Sequence, residues 1–69
     1  MQSKEDTVKG TVIEAMPNTL FKVVLEDGKE VISYLSGKMR LHRIRVLVGD
    51  TVELLEEPYG GKARIVKRL

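Results

Sequence analysis

The basic residues between positions 38 and 45 are the strongest chemical signal in the sequence. Four of these eight positions carry a fixed positive charge: Lys38, Arg40, Arg43 and Arg45. A guanidinium group can donate two parallel hydrogen bonds to a phosphate, and it can also stack on an exposed base. The stretch therefore predicts contact with the backbone of RNA. A basic link that only faces solvent is the alternative reading of the same composition.

A second group of basic residues lies near the C-terminus and comprises Lys62, Arg64, Lys67 and Arg68. In an extended strand, successive side chains alternate between the two faces of the sheet. Arg64 and Lys67 are therefore expected on opposite faces. This group therefore does not predict a single contact surface for RNA. In the alternative interpretation, the charges protect an edge strand from pairing with another chain.

The sequence contains no group of residues that could support catalysis. It has no cysteine and a single histidine, His42, which excludes disulfide bonds, thiolate metal sites and paired-histidine metal sites. The segment Gly60-Gly61-Lys62 lacks the spacing of a phosphate-binding loop. We therefore expect neither an enzyme nor a bound cofactor or metal, and we expect His42 at the surface.

Aromatic residues are scarce and are limited to Phe21, Tyr34 and Tyr59. Domains that bind single-stranded RNA by base stacking carry a row of exposed aromatic side chains. Phe21 is expected in the core, and Tyr34 either stacks on a base or packs in the wall of the fold. The protein is therefore expected to recognise the charge and shape of RNA more than its base sequence.

Short runs of β-branched residues, separated by turn residues, predict five strands. Gly10, inside the first run, suggests a bulge or a bend. Ser36 can cap a short helical turn over 38–43, and the stretch 44–48 returns toward extended structure. The expected strands are 8–16, 20–26, 30–35, 51–56 and 62–69.

The pair Asp27-Gly28 between two apolar runs predicts a β-hairpin. A two-residue loop would place Phe21 opposite Tyr34. A three-residue loop, with Gly28 as a bulge, would place Phe21 opposite Ser33. The sequence does not choose between these registers.

A chain of 69 residues has room for one thin core. We expect an all-β protein in which residues 1–6 form a flexible tail and residues 7–69 form a single domain. That domain is predicted to be a five-stranded OB-fold barrel with a short helical turn between strands three and four. An SH3-like barrel, whose helical turn usually precedes the last strand, is the alternative.

Charge is unevenly distributed along the chain. Residues 1–37 carry four lysines and six acids, whereas residues 38–69 carry eight basic residues and four acids. This asymmetry suggests a face that binds a polyanion. No signal peptide is visible, nor any apolar run of the roughly 20 residues that a membrane-spanning helix needs. We therefore expect a monomeric protein that stays in the cytoplasm.

Several segments, taken in order and spacing, resemble one known family. They are Gly10–Val12, Pro17–Val23, Ser36–Arg40, Ile44–Leu47, Gly49–Asp50, Pro58–Tyr59 and Arg64–Val66. Together they resemble bacterial translation initiation factor one over nearly the whole chain from Lys4 onward. The resemblance implies an OB-fold protein that binds the rRNA of the small ribosomal subunit at the aminoacyl-tRNA site. It also implies that the protein blocks tRNA entry there and acts with initiation factors two and three.

The resemblance also implies which residues contact rRNA. Lys38, Arg40 and Arg45 match the family's contacts, and Arg43 joins them through the basic stretch itself. The remaining candidates are Arg64, on the same surface, and the first hairpin loop with Asn18 and Thr19. The chain departs from the family where Arg43 and Lys67 replace residues that are commonly aromatic, and where Gly60-Gly61 shortens a loop.

Two other classes of function remain open from the residues alone. One is a protein-interaction module whose acidic half, including Glu26, Asp27 and Glu30, binds a basic partner. The other is a general binder of single-stranded RNA, which the scarcity of aromatic residues disfavours.

Overall fold

The segments with alternating and β-branched side chains form five strands, as predicted. The computed structural model describes residues 7–57 and 61–69. The predicted tail 1–6 and most of the predicted loop before the last strand, residues 58–60, lie outside the described residues. The elements in chain order are β1 (Val8–Met16), a turn (Pro17–Thr19), β2 (Leu20–Leu25), β3 (Glu30–Leu35), α1 (Gly37–Leu41), β4 (Thr51–Leu55) and β5 (Ala63–Arg68).

The strands close into a barrel in the order β1, β2, β3, β5, β4. Neighbouring strands are antiparallel, except that β3 and β5 are parallel. Because α1 lies between β3 and β4, the OB-fold prediction is confirmed and the SH3-like alternative is wrong. Residues 42–50, called the link below, connect α1 to β4 without a strand, so the extended stretch expected at 44–48 does not form one.

Alternate residues of the strands fill the interior of the barrel. Along β2, Phe21, Val23 and Leu25 are buried, whereas the residues between them are only half-buried. Met39 of α1 and Val46 of the link belong to the same apolar cluster. The cluster is completed by Val12, Val52, Leu54, Ala63 and Ile65. The helix and the link are thus both anchored to the core by a buried side chain.

The hairpin between β2 and β3 has the three-residue loop. The Gly28 N–H donates to the carbonyl of Leu25 at 2.9 Å, and the Leu25 N–H donates to the carbonyl of Lys29 at 2.8 Å. Gly28 has a φ of +90°, a conformation that glycine adopts without strain. Phe21 therefore pairs with Ser33, which is the second of the two predicted registers.

Strand β1 is irregular near Ile13 rather than at Gly10. The register with β2 shifts between Val12 and Glu14, so the bulge suggested at Gly10 lies a few residues further along. Gly10 serves a different purpose, because a β-carbon there would lie 2.5 Å from Cγ1 of Val23. The glycine allows β1 and β2 to approach closely.

Two buried serines are expected to respond in opposite ways to alanine. The Oγ of Ser33, which is fully buried, has no hydrogen-bond partner among the described residues. Removing an unpaired buried hydroxyl removes a desolvation cost, so Ser33→Ala should raise the free energy of unfolding by about 1 kcal/mol. The Oγ of Ser36 accepts a hydrogen bond from the Met39 N–H at 3.3 Å, so Ser36→Ala should lower it by about 1 kcal/mol. Urea unfolding measures both changes, and a loss of stability in Ser33→Ala would contradict the first.

Two kinds of feature are not found in the part of the chain that the structure describes. No helix within residues 7–57 and 61–69 is both long enough and apolar enough to cross a membrane. Within the same ranges, no cluster of three or more histidine, aspartate or glutamate side chains is placed to hold a metal ion.

Candidate nucleic-acid interface

Helix α1 presents Lys38 and Arg40 to solvent. The side chain of Ser36 caps the helix, as predicted. Met39 points into the core and is 4% exposed. Because side chains next to each other in a helix point in different directions, Lys38 and Arg40 on either side of Met39 are exposed. One buried side chain thus fixes the position of two basic ones.

Arg43 ends the helix in a conformation that is unusual for arginine. The Ile44 N–H donates to the carbonyl of Met39 at 2.9 Å, and the Arg43 N–H donates to the carbonyl of Arg40 at 3.1 Å. This pair of bonds is the Schellman motif, in which the residue after the helix is left-handed and is usually glycine. Arg43 has a φ of +54°. Arg43 therefore places an exposed guanidinium at a position where the backbone favours glycine.

The position of Arg45 is set by β5 and by the core. Its carbonyl oxygen accepts a hydrogen bond from Nη1 of Arg68 at 2.9 Å. The next residue, Val46, is 7% exposed and packs in the core. Between these two anchors the side chain of Arg45 is exposed, so the link presents this guanidinium from a restrained backbone.

A shallow groove of about 440 Å³ lies between α1, the link and β5. It is lined by Lys38, Met39, His42, Ile44, Val66, Lys67 and Arg68. None of these side chains is acidic, so the positive charge of the groove is not neutralised by its lining residues. Lys67 and Arg68 were not among the predicted contacts, and the only signal for them was their place in the second basic group.

The expectation that Arg64 and Lys67 lie on opposite faces of β5 is wrong. Leu55 pairs with Arg64 and Glu53 pairs with Lys67, with a shift of register between these pairs. The shift makes Val66 an extra residue in β5 and reverses the alternation of side chains after it. Arg64 and Lys67 therefore both lie on the outer face of the barrel, and both are exposed.

A row of paired residues connects Arg64 to the loop between β1 and β2. Leu20 pairs with Tyr34, and Tyr34 pairs with Arg64. Since paired residues of neighbouring strands point to the same face, all three side chains lie on the outside of the barrel. Tyr34 is half-buried there, and its hydroxyl donates to Oε2 of Glu57 at 3.3 Å.

Asn18 and Thr19 form the exposed tip of the loop between β1 and β2. Both residues are left-handed, with φ of +65° and +57°. Asparagine tolerates this conformation, but it is unfavourable for a β-branched residue such as threonine. The Thr19 hydroxyl donates to the carbonyl of Asn18. Because Thr19 precedes Leu20, the loop leads directly into the row that ends at Arg64.

The residues predicted to contact RNA therefore lie on neighbouring elements. The Ser36 N–H donates to the carbonyl of Ile65 at 2.9 Å, which places the start of α1 next to Arg64.

Lys62 does not join this region, because it lines a different groove with Glu30, Glu56 and Glu57. We call the exposed cations of α1, the link and β5 the basic surface: Lys38, Arg40, Arg43, Arg45, Arg64, Lys67 and Arg68.

Comparison with known proteins identifies the family. The family model described as translation initiation factor 1A / IF-1 matches residues 1–69. The chain belongs to this family. The solution structure of translation initiation factor one from the Wolbachia endosymbiont of Brugia malayi is 34% identical, with a TM-score of 0.78. That match covers 93% of this chain and 77% of the Wolbachia chain.

A second solved structure shares the barrel within a larger protein. YjeQ from Thermotoga maritima is 28% identical, with a TM-score of 0.76. The match covers 93% of this chain but only 23% of YjeQ. This chain therefore corresponds to a small part of YjeQ.

Family membership confirms the resemblance to bacterial translation initiation factor one. Members of the family are translation initiation factors and not enzymes. Membership also implies association with the small ribosomal subunit.

Proposed function

We propose that this chain binds the rRNA of the small ribosomal subunit at the aminoacyl-tRNA site and blocks tRNA entry there. The proposal rests on one observation above the others. Lys38 of α1 and Lys67 and Arg68 of β5 line a groove that no carboxylate lines, and the elements that form this groove also carry the exposed Arg40, Arg43, Arg45 and Arg64. Apolar Met39, Ile44 and Val66 line the same groove, and a groove with both apolar and cationic side chains suits the bases and phosphates of a folded RNA.

The energy of binding is expected to come mainly from phosphate neutralisation. Each phosphate paired with a lysine or arginine releases condensed counterions, which favours binding at low salt. The arginines add directed hydrogen bonds. Their backbones are held by the Schellman motif at Arg43 and by the Arg68 hydrogen bond at Arg45. Little backbone entropy is therefore lost on binding, and the entropic cost comes from ordering the exposed side chains.

The loop tip at Asn18 and Thr19 is proposed to enter a groove of the rRNA beside the basic surface. Both residues are exposed, and the Thr19 hydroxyl holds the tip through the Asn18 carbonyl. No bond is made or broken in this function. The bound chain excludes tRNA by occupying its site, and it acts there in the cytoplasm as a monomer with initiation factors two and three.

The salt dependence of binding to purified small ribosomal subunits tests the proposal. If about four to six phosphates are neutralised, the slope of log affinity against log salt should lie between about −3 and −5. A chemical footprint should protect the nucleotides of the aminoacyl-tRNA site. A flat salt dependence, or equal affinity for isolated oligonucleotides, would contradict the proposal and favour a general RNA-binding protein.

Replacing Arg43 by glycine is expected to raise stability and weaken binding at once. Glycine relieves the left-handed strain at this position, so Arg43→Gly should raise the free energy of unfolding by about 1 kcal/mol. Loss of the guanidinium should reduce affinity for the subunit about tenfold and make the salt slope shallower by about one unit. Urea unfolding and subunit binding measure the two effects. Arg43→Lys is the control, because it keeps both the charge and the strain; unchanged binding by Arg43→Gly would remove Arg43 from the interface.

A further inference from the structure

His42 is the only histidine of the chain, and it lies in the groove between α1, the link and β5. Its side chain is exposed. Histidine is the one side-chain type that ordinarily gains or loses a proton between about pH 5 and 8. The groove therefore contains the one residue of this type in the sequence, beside lysines and arginines whose charges are fixed near neutral pH.

The last turn of α1 sets the position of His42. The His42 N–H donates to the carbonyl of Lys38 at 3.0 Å, so the two residues are one helical turn apart. Side chains four residues apart in a helix lie on the same face. The bond from the Ile44 N–H to the carbonyl of Met39, at 2.9 Å, restrains the backbone just after His42. Lys38 and His42 therefore line the groove together.

Strand β5 supplies two further cations to the groove, Lys67 and Arg68. Nη1 of Arg68 donates to the carbonyl of Arg45 at 2.9 Å, which holds this guanidinium against the link. Glu53 of β4 pairs with Lys67, but it does not line the groove. Among the residues that the structure describes, the charged side chains that line the groove with His42 are thus all cationic.

A phosphate in the groove changes the surroundings of the imidazole. In the free chain its charged neighbours in the groove are cations, and a bound phosphate places an anion among them. A nearby anion favours the charged form of histidine, so the imidazolium is more favourable in the complex than in the free chain. A group that binds its proton more tightly in the complex takes up protons on binding, and the affinity then rises as the pH falls.

Protonation also changes the hydrogen bonds that His42 can donate. A neutral imidazole has one N–H group, whereas the imidazolium has two and carries a full positive charge. A charged donor forms a shorter and stronger hydrogen bond to a phosphate oxygen than a neutral donor does. The protonated side chain therefore adds both a charge and a donor next to Lys38.

We propose that His42 binds an rRNA phosphate as the imidazolium, and that the chain takes up a proton at this residue when it binds the small ribosomal subunit. This inference rests on the proposed function, because the phosphate belongs to the rRNA that the groove binds. It adds to the candidate interface a residue whose charge responds to binding, whereas the charges of Lys38, Lys67 and Arg68 are fixed.

The pH dependence of affinity for purified small ribosomal subunits, measured at constant salt, tests this role. Between about pH 6 and pH 8, the affinity of the unsubstituted chain should fall about fivefold, the size expected for one phosphate close to the imidazole. His42→Gln keeps a polar side chain that cannot be protonated, and it should lack this change. His42→Arg is charged at every pH in this range and should also lack it, with tight binding throughout.

The difference between the chains reports on His42, because the groups of the subunit titrate in the same way in every measurement. If the unsubstituted chain and His42→Gln show the same pH dependence, the inference is wrong and the proposed function stands. Failure of the unsubstituted chain to bind subunits would overturn the proposed function and the inference together.

A histidine placed elsewhere is the matched control. Thr11 is exposed on β1 and lies outside the basic surface, so the double variant His42→Gln and Thr11→His restores a histidine without restoring the contact. Its affinity should follow that of His42→Gln. A return of the fivefold change would show that the net charge of the chain, and not a contact in the groove, causes it, and would overturn the inference.

The salt slope identifies phosphate as the group that His42 binds. For the unsubstituted chain, the slope should be steeper at about pH 6 than at about pH 8 by up to one unit, because one more phosphate is neutralised. His42→Gln should have the same slope at both values of pH. An equal slope at both values in the unsubstituted chain would contradict a phosphate contact at His42.

Discussion

Reversing two charges, in the double variant Arg40→Glu and Arg45→Glu, is expected to weaken binding to the small ribosomal subunit by at least about a hundredfold. Each arginine should lose a charge-assisted contact worth about 1–3 kcal/mol. Each new carboxylate should also repel a phosphate, which adds to the loss. The single variants Arg40→Ala and Arg45→Ala should each lose only the charge-assisted contact, without the added repulsion. The salt slope of each should be shallower by about one unit.

The barrel is expected to tolerate this change. Arg40 and Arg45 are exposed, and neither takes part in the ion pairs formed among residues 7–57 and 61–69. A matched control is the double variant Lys9→Glu and Lys62→Glu, which changes the net charge equally outside the basic surface. If binding depends on the placement of charge, this control should lose far less affinity. Equal losses would show that net charge alone drives binding and would contradict the proposed site.

Local sequence signals were sufficient to predict the features that depend only on residues close together in the chain. The Asp27-Gly28 pair predicted the hairpin because the left-handed position needs glycine, and Gly28 occupies it. Ser36 predicted a helix start because its hydroxyl can bond to an N–H three residues on, and Met39 supplies that N–H. The choice of the OB-fold over the SH3-like barrel followed from the position of the helical segment. Such features need no knowledge of distant residues.

The face to which the C-terminal cations point could not be predicted in this way. Alternation along β5 is a local rule, but the extra residue at Val66 is set by pairing with β4. The position of a bulge depends on pairing with the partner strand, so the sequence of one strand alone does not predict it. For this reason Lys67 was expected on the face opposite to Arg64, and its approach to α1 through the groove was missed.

Two residues of the candidate interface oppose local backbone preference. Arg43 takes the position of a glycine at the end of α1, and Thr19 is left-handed although it is β-branched. Sequences usually agree with the local structure that they form, and departures concentrate at functional positions. Both departures fall on exposed residues that are candidate RNA contacts, Arg43 from the basic stretch and Thr19 from the resemblance to the family. This agreement supports a functional role for the two side chains, since neither contributes to the core.

Replacing Gly10 by alanine is expected to lower the free energy of unfolding by about 3 kcal/mol, at the upper end of the range for overpacking. The added β-carbon would lie 2.5 Å from Cγ1 of Val23 and 2.8 Å from the carbonyl oxygen of Val24. Val23 is 0% exposed and packs in the core, and the carbonyl is part of the β2 backbone. The strands can therefore accept the methyl group only by separating.

The size of this effect is large for so short a chain. A domain of 69 residues has a total stability of roughly 3–10 kcal/mol, so Gly10→Ala removes a substantial share of it. Gly37→Ala is the control, because a β-carbon there would meet no atom within 4 Å beyond its chain neighbours and the backbone of its own helix, and alanine favours a helix. Urea unfolding should show a large loss for the first variant and none for the second.

A double-mutant cycle identifies the origin of the loss. Val23→Ala removes the side-chain clash with a methyl at position 10 but not the clash with the Val24 carbonyl. The double variant Gly10→Ala and Val23→Ala should therefore be less destabilised than the sum of the single variants. Strict additivity would contradict the close approach of β1 and β2. Because Gly10 lies outside the basic surface, the folded fraction of Gly10→Ala should bind subunits with unchanged affinity, which separates the residues that build the barrel from those that contact RNA.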